Sequence, residues 1–179
     1  KNSEGYTVRG PLRAGEFSLP GNVSSQFITG LIFALTALGE DSRIRITTEL
    51  ESRSYVELTR AALAAFGVRV LWENDNTIYI PGGQRLVPTD VTVEGDFSGA
   101  AFFLAMNQLG GEIELLGLNE DSLQGDRVYK DYFRMLAEGT PVLDVSDCPD
   151  LAPILFAVAA AKGRGEALIN TLACAVILF

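Results

Sequence analysis

Histidine is absent from this 179-residue chain, and cysteine occurs only at Cys148 and Cys174. Without an imidazole these residues build neither a Ser-His-Asp nor a Cys-His centre, and they lack the commonest protein ligand for transition metals. Acid or base chemistry must come from a carboxylate, a lysine, a tyrosine or a thiol. The two cysteines have no Cys-x-x-Cys spacing and make no disulfide framework, which fits a reducing compartment. Basic residues are also scarce: 14 Lys and Arg stand against 23 Asp and Glu, the net charge is -9, and no basic run exceeds two residues. A nucleic-acid partner ordinarily leaves a basic stripe, so none is expected. No segment approaches the roughly 18 consecutive apolar residues of a membrane span, and Lys1–Gly10 carries no signal-peptide core. A soluble, cytoplasmic protein with no membrane partner is the expectation.

What the chain does have is apolar residues, 47% of the total, too many for a disordered chain and enough for a sizeable core. Helix-period stretches alternate with short β-type runs. The spacing predicts a helix over Ser25–Leu38, a strand over Arg43–Thr48, a helix over Ser54–Phe66, and a hairpin of Val68–Glu73 and Thr77–Pro81 joined at Asn74-Asp75-Asn76. The same order restarts with a strand at Thr89–Glu94, a helix at Ser98–Leu109, a strand at Glu112–Leu116 and a helix at Arg127–Leu136. Gly21 and Gly95, Asn22 and Asp96, Ser24 and Ser98, and Tyr55 and Tyr129 are each 74 residues apart. A repeat of that length is a whole β-α-β-α-β-β unit, and the fold class is an α/β (α+β) repeat.

A third unit opens at Asp144–Ser146, followed by a helix over Leu151–Lys162 and a strand over Glu166–Asn170. Its timing is short. From Tyr55 to Ser98 is 43 residues, whereas from Tyr129 to Asp150 is only 21, so about one hairpin, roughly 20 residues, is missing. Either the second unit has lost its hairpin or a stretch is omitted between Leu136 and Val142, and the bare helix end at Ala137-Glu138-Gly139 favours omission. Leu172–Phe179 is too short to assign.

Three places carry candidate chemistry. Gly21-Asn22-Val23-Ser24-Ser25-Gln26 sets a glycine turn, two hydroxyls and an amide at a helix start, where backbone N–H groups and the dipole favour a phosphate. Ser24 is equally well a plain N-cap. Ser52-Arg53-Ser54-Tyr55, at the next helix start, offers hydroxyl, guanidinium and phenol to the same pocket, or else a cap with Arg53 in solvent. Among Asp144, Asp147 and Asp150, the last follows Pro149 at a helix start and suits a general acid or base, although acids there also serve the dipole alone. Their spacing lacks the EF-hand pattern, so no metal is expected. The second unit's turns, Glu94-Gly95-Asp96 and Ser122–Asp126, carry acids and are poorer phosphate sites. Cys148 and Cys174 have no basic neighbour in sequence and are expected to be inert.

At these residues the chain resembles the 5-enolpyruvylshikimate-3-phosphate synthase family, through Gly21–Phe27 (GNVSSQF), Glu49–Tyr55 (ExxSxxY), Val93–Ser98 (VEGDFS), Ser122–Asp126 (SLQGD) and Asp147–Asp150 (DCPD). The resemblance implies the enolpyruvyl transferase fold, two domains of β-α-β-α-β-β units in an inside-out α/β barrel, with residues 1–88 on the shikimate-phosphate side of the first domain. Residues 89–179 then belong to the second, with segments omitted near 137–141 and after 170. It implies enolpyruvyl transfer from phosphoenolpyruvate to the 5-hydroxyl of shikimate 3-phosphate, a step of chorismate and aromatic amino-acid biosynthesis, by a monomer without cofactor. On that basis Ser24, Ser25 and Ser52 are ligands of the shikimate phosphate, Gln26 touches the ring and phosphoenolpyruvate, Tyr55 is a ring contact, and Asp150 moves the proton of the attacking hydroxyl. The family's Lys-Pro before the tyrosine is here Arg53-Ser54, and its basic phosphoenolpyruvate segments are absent; after Asn170 the chain reads Thr171-Leu172-Ala173-Cys174. Two other readings stay open: the sister transferase acting on UDP-N-acetylglucosamine, and an inactive fragment that only binds.

Overall fold

The structure, a computed structural model, describes residues 9–139, 141–163 and the backbone of 168–170. Its first repeat unit runs β1 (Glu16–Leu19), α1 (Ser25–Thr36), β2 (Ser42–Ile46), α2 (Arg53–Ala65), β3 (Leu71–Asn74) and β4 (Thr77–Ile80). These elements make one sheet in the order β1-β2-β4-β3. β2 lies parallel to β1, with Phe17 beside Ile44, and antiparallel to β4, with Ile44 beside Ile78. Alternation on β2 turns Ile44 and Ile46 into the core and leaves Arg43 and Arg45 on the other face. On α1, Ile28, Ile32 and Leu35 fall at i, i+4 and i+7 and are fully buried, and on α2 Val56 and Leu63 repeat the same face. Together with Ile78 and Ile80 they form one core under the sheet.

The rest of the described chain has a separate core. It comprises α3 (Phe97–Gln108), a 3-10 turn (Gly125–Val128) leading into α4 (Tyr129–Glu138), β5 (Val142–Asp144), a second 3-10 turn (Pro149–Leu151) leading into α5 (Ala152–Ala161), and β6 (Leu168–Asn170), parallel to β5. Phe97, Tyr129 and Phe133 pack tilted and edge-to-face, with ring centroids 6.1 and 5.6 Å apart, in one core with Leu143, Leu151, Leu155 and Val158. The two cores share no residue.

Helices and the first hairpin therefore form where the periodicity places them, within two or three residues. Two expected strands do not. Residues 89–94 and 112–116 carry no ladder, and only the Gly95 N–H to Gly117 carbonyl bond, 3.0 Å, joins their exits. In the first unit the β1–β2 pair is locked by β4 on the outer edge of β2. In the chain as given no such hairpin stands in the second unit: α4 ends at Glu138 and β5 begins at Val142, where the sequence predicts an omitted stretch. Without that third strand the pair stays extended but unlinked, with Val93 and Leu116 88% and 86% exposed. The third strand also shifts, from the expected Asp144–Ser146 to Val142–Asp144. Leu172–Phe179 and Cys174 lie outside the described residues. Among the described residues no helix is long and apolar enough to cross a membrane.

Candidate functional site

A cavity of about 340 Å³ opens between the N-termini of α1 and α2 and the turn before α5, and its walls include Ser24, Ser25, Gln26, Ser52, Tyr55 and Asp150. All six candidate residues, drawn from three segments spread over 126 positions of sequence, thus meet at one place.

Ser24 is the N-cap of α1, and its hydroxyl oxygen accepts the Gln26 N–H at 3.2 Å. Capping and cavity wall are thus the same residue, because a cap hydroxyl that accepts keeps its own proton to donate. No acidic residue sits in the first turn of α1, so its own side chains leave the positive end of the helix dipole uncompensated. Ser52, at the N-cap of α2, differs. It is the only described non-glycine residue with positive φ, 54°, and its side chain makes no cap bond. Such a backbone costs about 1 to 3 kcal/mol, a strain typical of functional sites.

Arg53 takes no part in the wall. Its guanidinium lies 4.1 Å over the Trp72 ring and donates to the Asp75 carbonyl at 3.3 Å, so the sequence's option of a cation at this pocket is corrected. Arginine stacks readily on an indole, and the β3–β4 hairpin supplies both partners, Trp72 from β3 and Asp75 from the turn. Neither lysine nor arginine lines the cavity among the described residues, whereas Glu51 does. Glu51, Thr29 and Thr59 are wall residues that sequence reasoning missed. The two threonines each sit four positions beyond a named residue, Ser25 and Tyr55, on the same helix face.

The three aspartates of the 144–150 segment separate in function. Asp144 closes its own turn by accepting the Ser146 N–H at 3.0 Å and the Ser146 hydroxyl, and these bonds hold its carboxyl below the usual range. Asp147 accepts the Ser54 N–H at 3.1 Å, so it caps α2 from 93 residues away. The Ser52 N–H to Ser146 carbonyl bond, 3.2 Å, and the Ser54 hydroxyl to Asp147 carbonyl bond, 3.4 Å, fasten the same loop. Only Asp150 faces the cavity. Cys148 between them is buried, and burial pushes its thiol up to about 12, so it stays un-ionised as expected of an inert cysteine.

The equivalent turn of the second unit is filled by its own side chains. Asp96, not Ser98, caps α3, with its two oxygens accepting the Ser98 and Gly99 N–H groups at 3.1 and 3.0 Å. Glu94 accepts from Gln124 at 2.9 Å, Ser122 at 2.6 Å and Asn119 at 3.0 Å, and those bonds hold its carboxyl below the ordinary value. A depressed carboxyl contributes stability that is present above its unfolded value, 4.5, and lost as pH falls through the lower folded one. Glu94→Gln is therefore expected to flatten the fall in stability on acidification, read from urea midpoints between about pH 3 and pH 6. An unchanged slope would remove Glu94 from the acid response.

Comparison with known proteins gives a consistent result. The family model described as EPSP synthase (3-phosphoshikimate 1-carboxyvinyltransferase) matches residues 2–140. The 3-phosphoshikimate 1-carboxyvinyltransferase of Clostridium kluyveri is 43% identical over 180 residues, covering 92% of this chain and 42% of that protein. Those of Clostridium novyi and Clostridioides difficile are 41% and 40% identical, over 92% and 95% of this chain and 41% and 43% of theirs. The chain thus spans about two fifths of the length of these curated relatives.

Proposed function

The chain belongs to the EPSP synthase family, and from that membership we propose that it supplies the shikimate 3-phosphate half-site and the proton-transfer carboxylate of an enolpyruvyl transferase. The reaction is transfer of the enolpyruvyl group from phosphoenolpyruvate to the 5-hydroxyl of shikimate 3-phosphate, releasing phosphate. The observation that carries the reading is the cavity where Ser24, Ser25, Gln26, Ser52, Tyr55 and Asp150 converge at an uncompensated helix start, while the matching turn of the second unit is closed by Asp96. The sister activity on UDP-N-acetylglucosamine is not favoured, since the relatives described above carry the 3-phosphoshikimate name.

In this proposal the phosphate of the substrate lies against the hydroxyls of Ser24, Ser25 and Ser52, and the ring lies against Tyr55 and Gln26. Asp150 takes the proton as the 5-hydroxyl oxygen adds to the enol carbon of phosphoenolpyruvate. The neighbouring methylene carbon takes up a proton to become a methyl group, and loss of phosphate from the adduct carbon, with a proton from that methyl group, restores the double bond of the enolpyruvyl group, now ether-linked to the 5-oxygen. The cations that would neutralise phosphoenolpyruvate come from elsewhere in the whole protein, because the described walls hold none. The same proposal places residues 1–88 and 89–179 in the two domains of an inside-out α/β barrel, in a cytoplasmic monomer that needs no cofactor.

Calorimetry with shikimate 3-phosphate tests the binding half. Ser24→Ala combined with Ser25→Ala is expected to weaken binding by about 1 to 3 kcal/mol, roughly 5- to 150-fold, for lost bonds to a charged group. Equal affinity in wild type and variant overturns the assignment. Phosphate release by the protein containing this chain, with both substrates present, tests the reaction itself.

A further inference from the structure

Asp126 takes no place in the cavity wall, yet it is fully buried and reaches across 71 residues of sequence to accept the hydroxyl of Tyr55, which does line the cavity. Its other oxygen, Oδ1, is shielded from solvent and has no partner. A buried carboxyl with one bond is costly, and an apolar residue of similar volume would serve packing better. The turn that carries it is built with care. Gln124, just before it, accepts the Phe97 N–H at 2.8 Å and donates to Glu94 at 2.9 Å, which fixes the turn to the start of α3. At Gly125 a Cβ would stand 2.5 Å from the Asp147 carbonyl oxygen and 2.7 Å from the Ser54 hydroxyl, so the turn lies directly against the start of α2. Tyr129, one turn further on, roots it in the second core.

We infer that Asp126 is a positioning residue for this site: by holding the Tyr55 hydroxyl outside the cavity, it presents the phenol's ring, rather than its oxygen, to the bound ligand. Tyr55 then recognises a ring by apolar contact and contributes no donor for an anion, which leaves the phosphate to the serines. The consequence for the ligand rests on the function proposed above, while the anchoring of Tyr55 does not. The groups facing Asp126 are Tyr55 from α2, Asp96 at the start of α3, and Asp150 and Cys148 on the turn before α5. Among the described residues no cation is one of them. Burial, with help from Asp150 and Asp96, outweighs the Tyr55 bond and raises the Asp126 carboxyl above its ordinary value. A raised carboxyl lends stability that is complete below its unfolded value, 3.8, and is lost as pH rises through the folded one. Ionising this carboxyl therefore costs the fold stability as pH rises, the pattern of a residue kept for its role in a site.

Three variants test this. Asp126→Asn keeps an acceptor for the phenol, Asp126→Leu removes it at similar volume, and Tyr55→Phe removes the donor. The stability of both Asp126 variants relative to wild type is expected to rise between about pH 4 and pH 7, and urea midpoints check that each still folds. In NMR of protein labelled at the tyrosine Cζ, the Tyr55 signal should titrate at lower pH in Asp126→Leu than in wild type. In calorimetry with shikimate 3-phosphate, Asp126→Leu should bind about tenfold more weakly. Asp126→Asn should stay within about threefold of wild type, and the Asp126→Leu, Tyr55→Phe double variant should be no worse than either single. An unchanged Tyr55 titration in Asp126→Leu overturns the anchoring. Unchanged affinity in Asp126→Leu, with the wild type binding, overturns its use by the ligand. A wild-type chain that binds no shikimate 3-phosphate refutes the proposed function instead, and the NMR result still decides the anchoring.

Discussion

An Asp150→Ala variant of the protein containing this chain is expected to lose about 100-fold or more in turnover while its affinity for shikimate 3-phosphate barely changes. The expectation follows from how differently the neighbouring acids are occupied. Asp144 and Asp147 each accept a backbone N–H on Oδ1, Asp126 takes the Tyr55 phenol, and Asp96 caps α3. Among the described residues no donor is bonded to Asp150, which stands exposed on the cavity wall in the turn that Pro149 begins. Tyr55 is not a competing base, since burial and the Asp126 bond push its phenol far above its ordinary value and keep it protonated. Among the described residues Glu51 is the one other carboxylate on the wall. Steady-state kinetics of Asp150→Ala and Glu51→Ala side by side separate them: a fall in kcat confined to Glu51→Ala would move the proton-transfer role there. Because Asp150 is exposed and bonds nothing in the fold, its loss should leave the melting midpoint nearly unchanged, so lost turnover would not report unfolding.

Local signals were enough for the parts of this molecule that are local. The Ser24 cap, the 28, 32, 35 stripe of α1 and the alternation of Ile44 and Ile46 each depend on residues within a turn or two, and each is where the periodicity puts it. The 74-residue recurrence was legible too, but it misled where it extended pattern into pairing. Residues 89–94 and 112–116 have strand composition, and a strand exists only when neighbours complete its ladder. Tyr55 and Tyr129 show the same limit. They occupy one repeat position, yet the first lines the cavity and the second is buried with Phe97 and Phe133, because the helices they begin face different surroundings.

The site was legible as a set of residues and illegible as a set of contacts. Nothing in Ser52-Arg53-Ser54-Tyr55 reveals that Arg53 turns to Trp72, 19 residues on, since that choice is made by the β3–β4 turn folding back. Nor does the DVSDCPD segment announce that its middle aspartate caps a helix of the other unit. The left-handed backbone of Ser52 has no sequence signature at all, because serine has no preference for it. These are long-range choices, settled by packing between the two units rather than by neighbours in the chain.

Gly21→Ala is expected to be strongly damaging, at about 2 to 3 kcal/mol of stability and a melting midpoint lower by about 4 to 12 °C. Gly21 has no positive φ, so its glycine is required by space alone. A Cβ there would stand 2.6 Å from the Glu49 carbonyl oxygen, 2.8 Å from Ile46 Cγ2 and 2.9 Å from Leu50 Cα, and two of those three atoms are backbone that cannot rotate away. The same residue ties the start of α1 to the chain before α2. Its N–H donates to Thr48 Oγ1 at 2.8 Å, its carbonyl accepts the Glu51 N–H at 3.2 Å, and Thr48 in turn donates to Asn22 at 2.9 Å. Ser24 and Ser25 lie on one side of this junction and Ser52 on the other, so a methyl that pries it open separates the hydroxyls proposed to share one phosphate. Shikimate 3-phosphate affinity should fall about 10- to 100-fold, as geometry off by about an ångström typically costs. Gly30→Ala is the internal control. It lies on the exposed face of α1 with nothing within 4 Å of the added methyl, and there the better helix former should raise stability by about 0.5 to 1 kcal/mol and leave affinity alone. If Gly21→Ala melts and binds like Gly30→Ala, the junction does not set the spacing of the serines, and the phosphate site has to be sought on one helix start rather than across two.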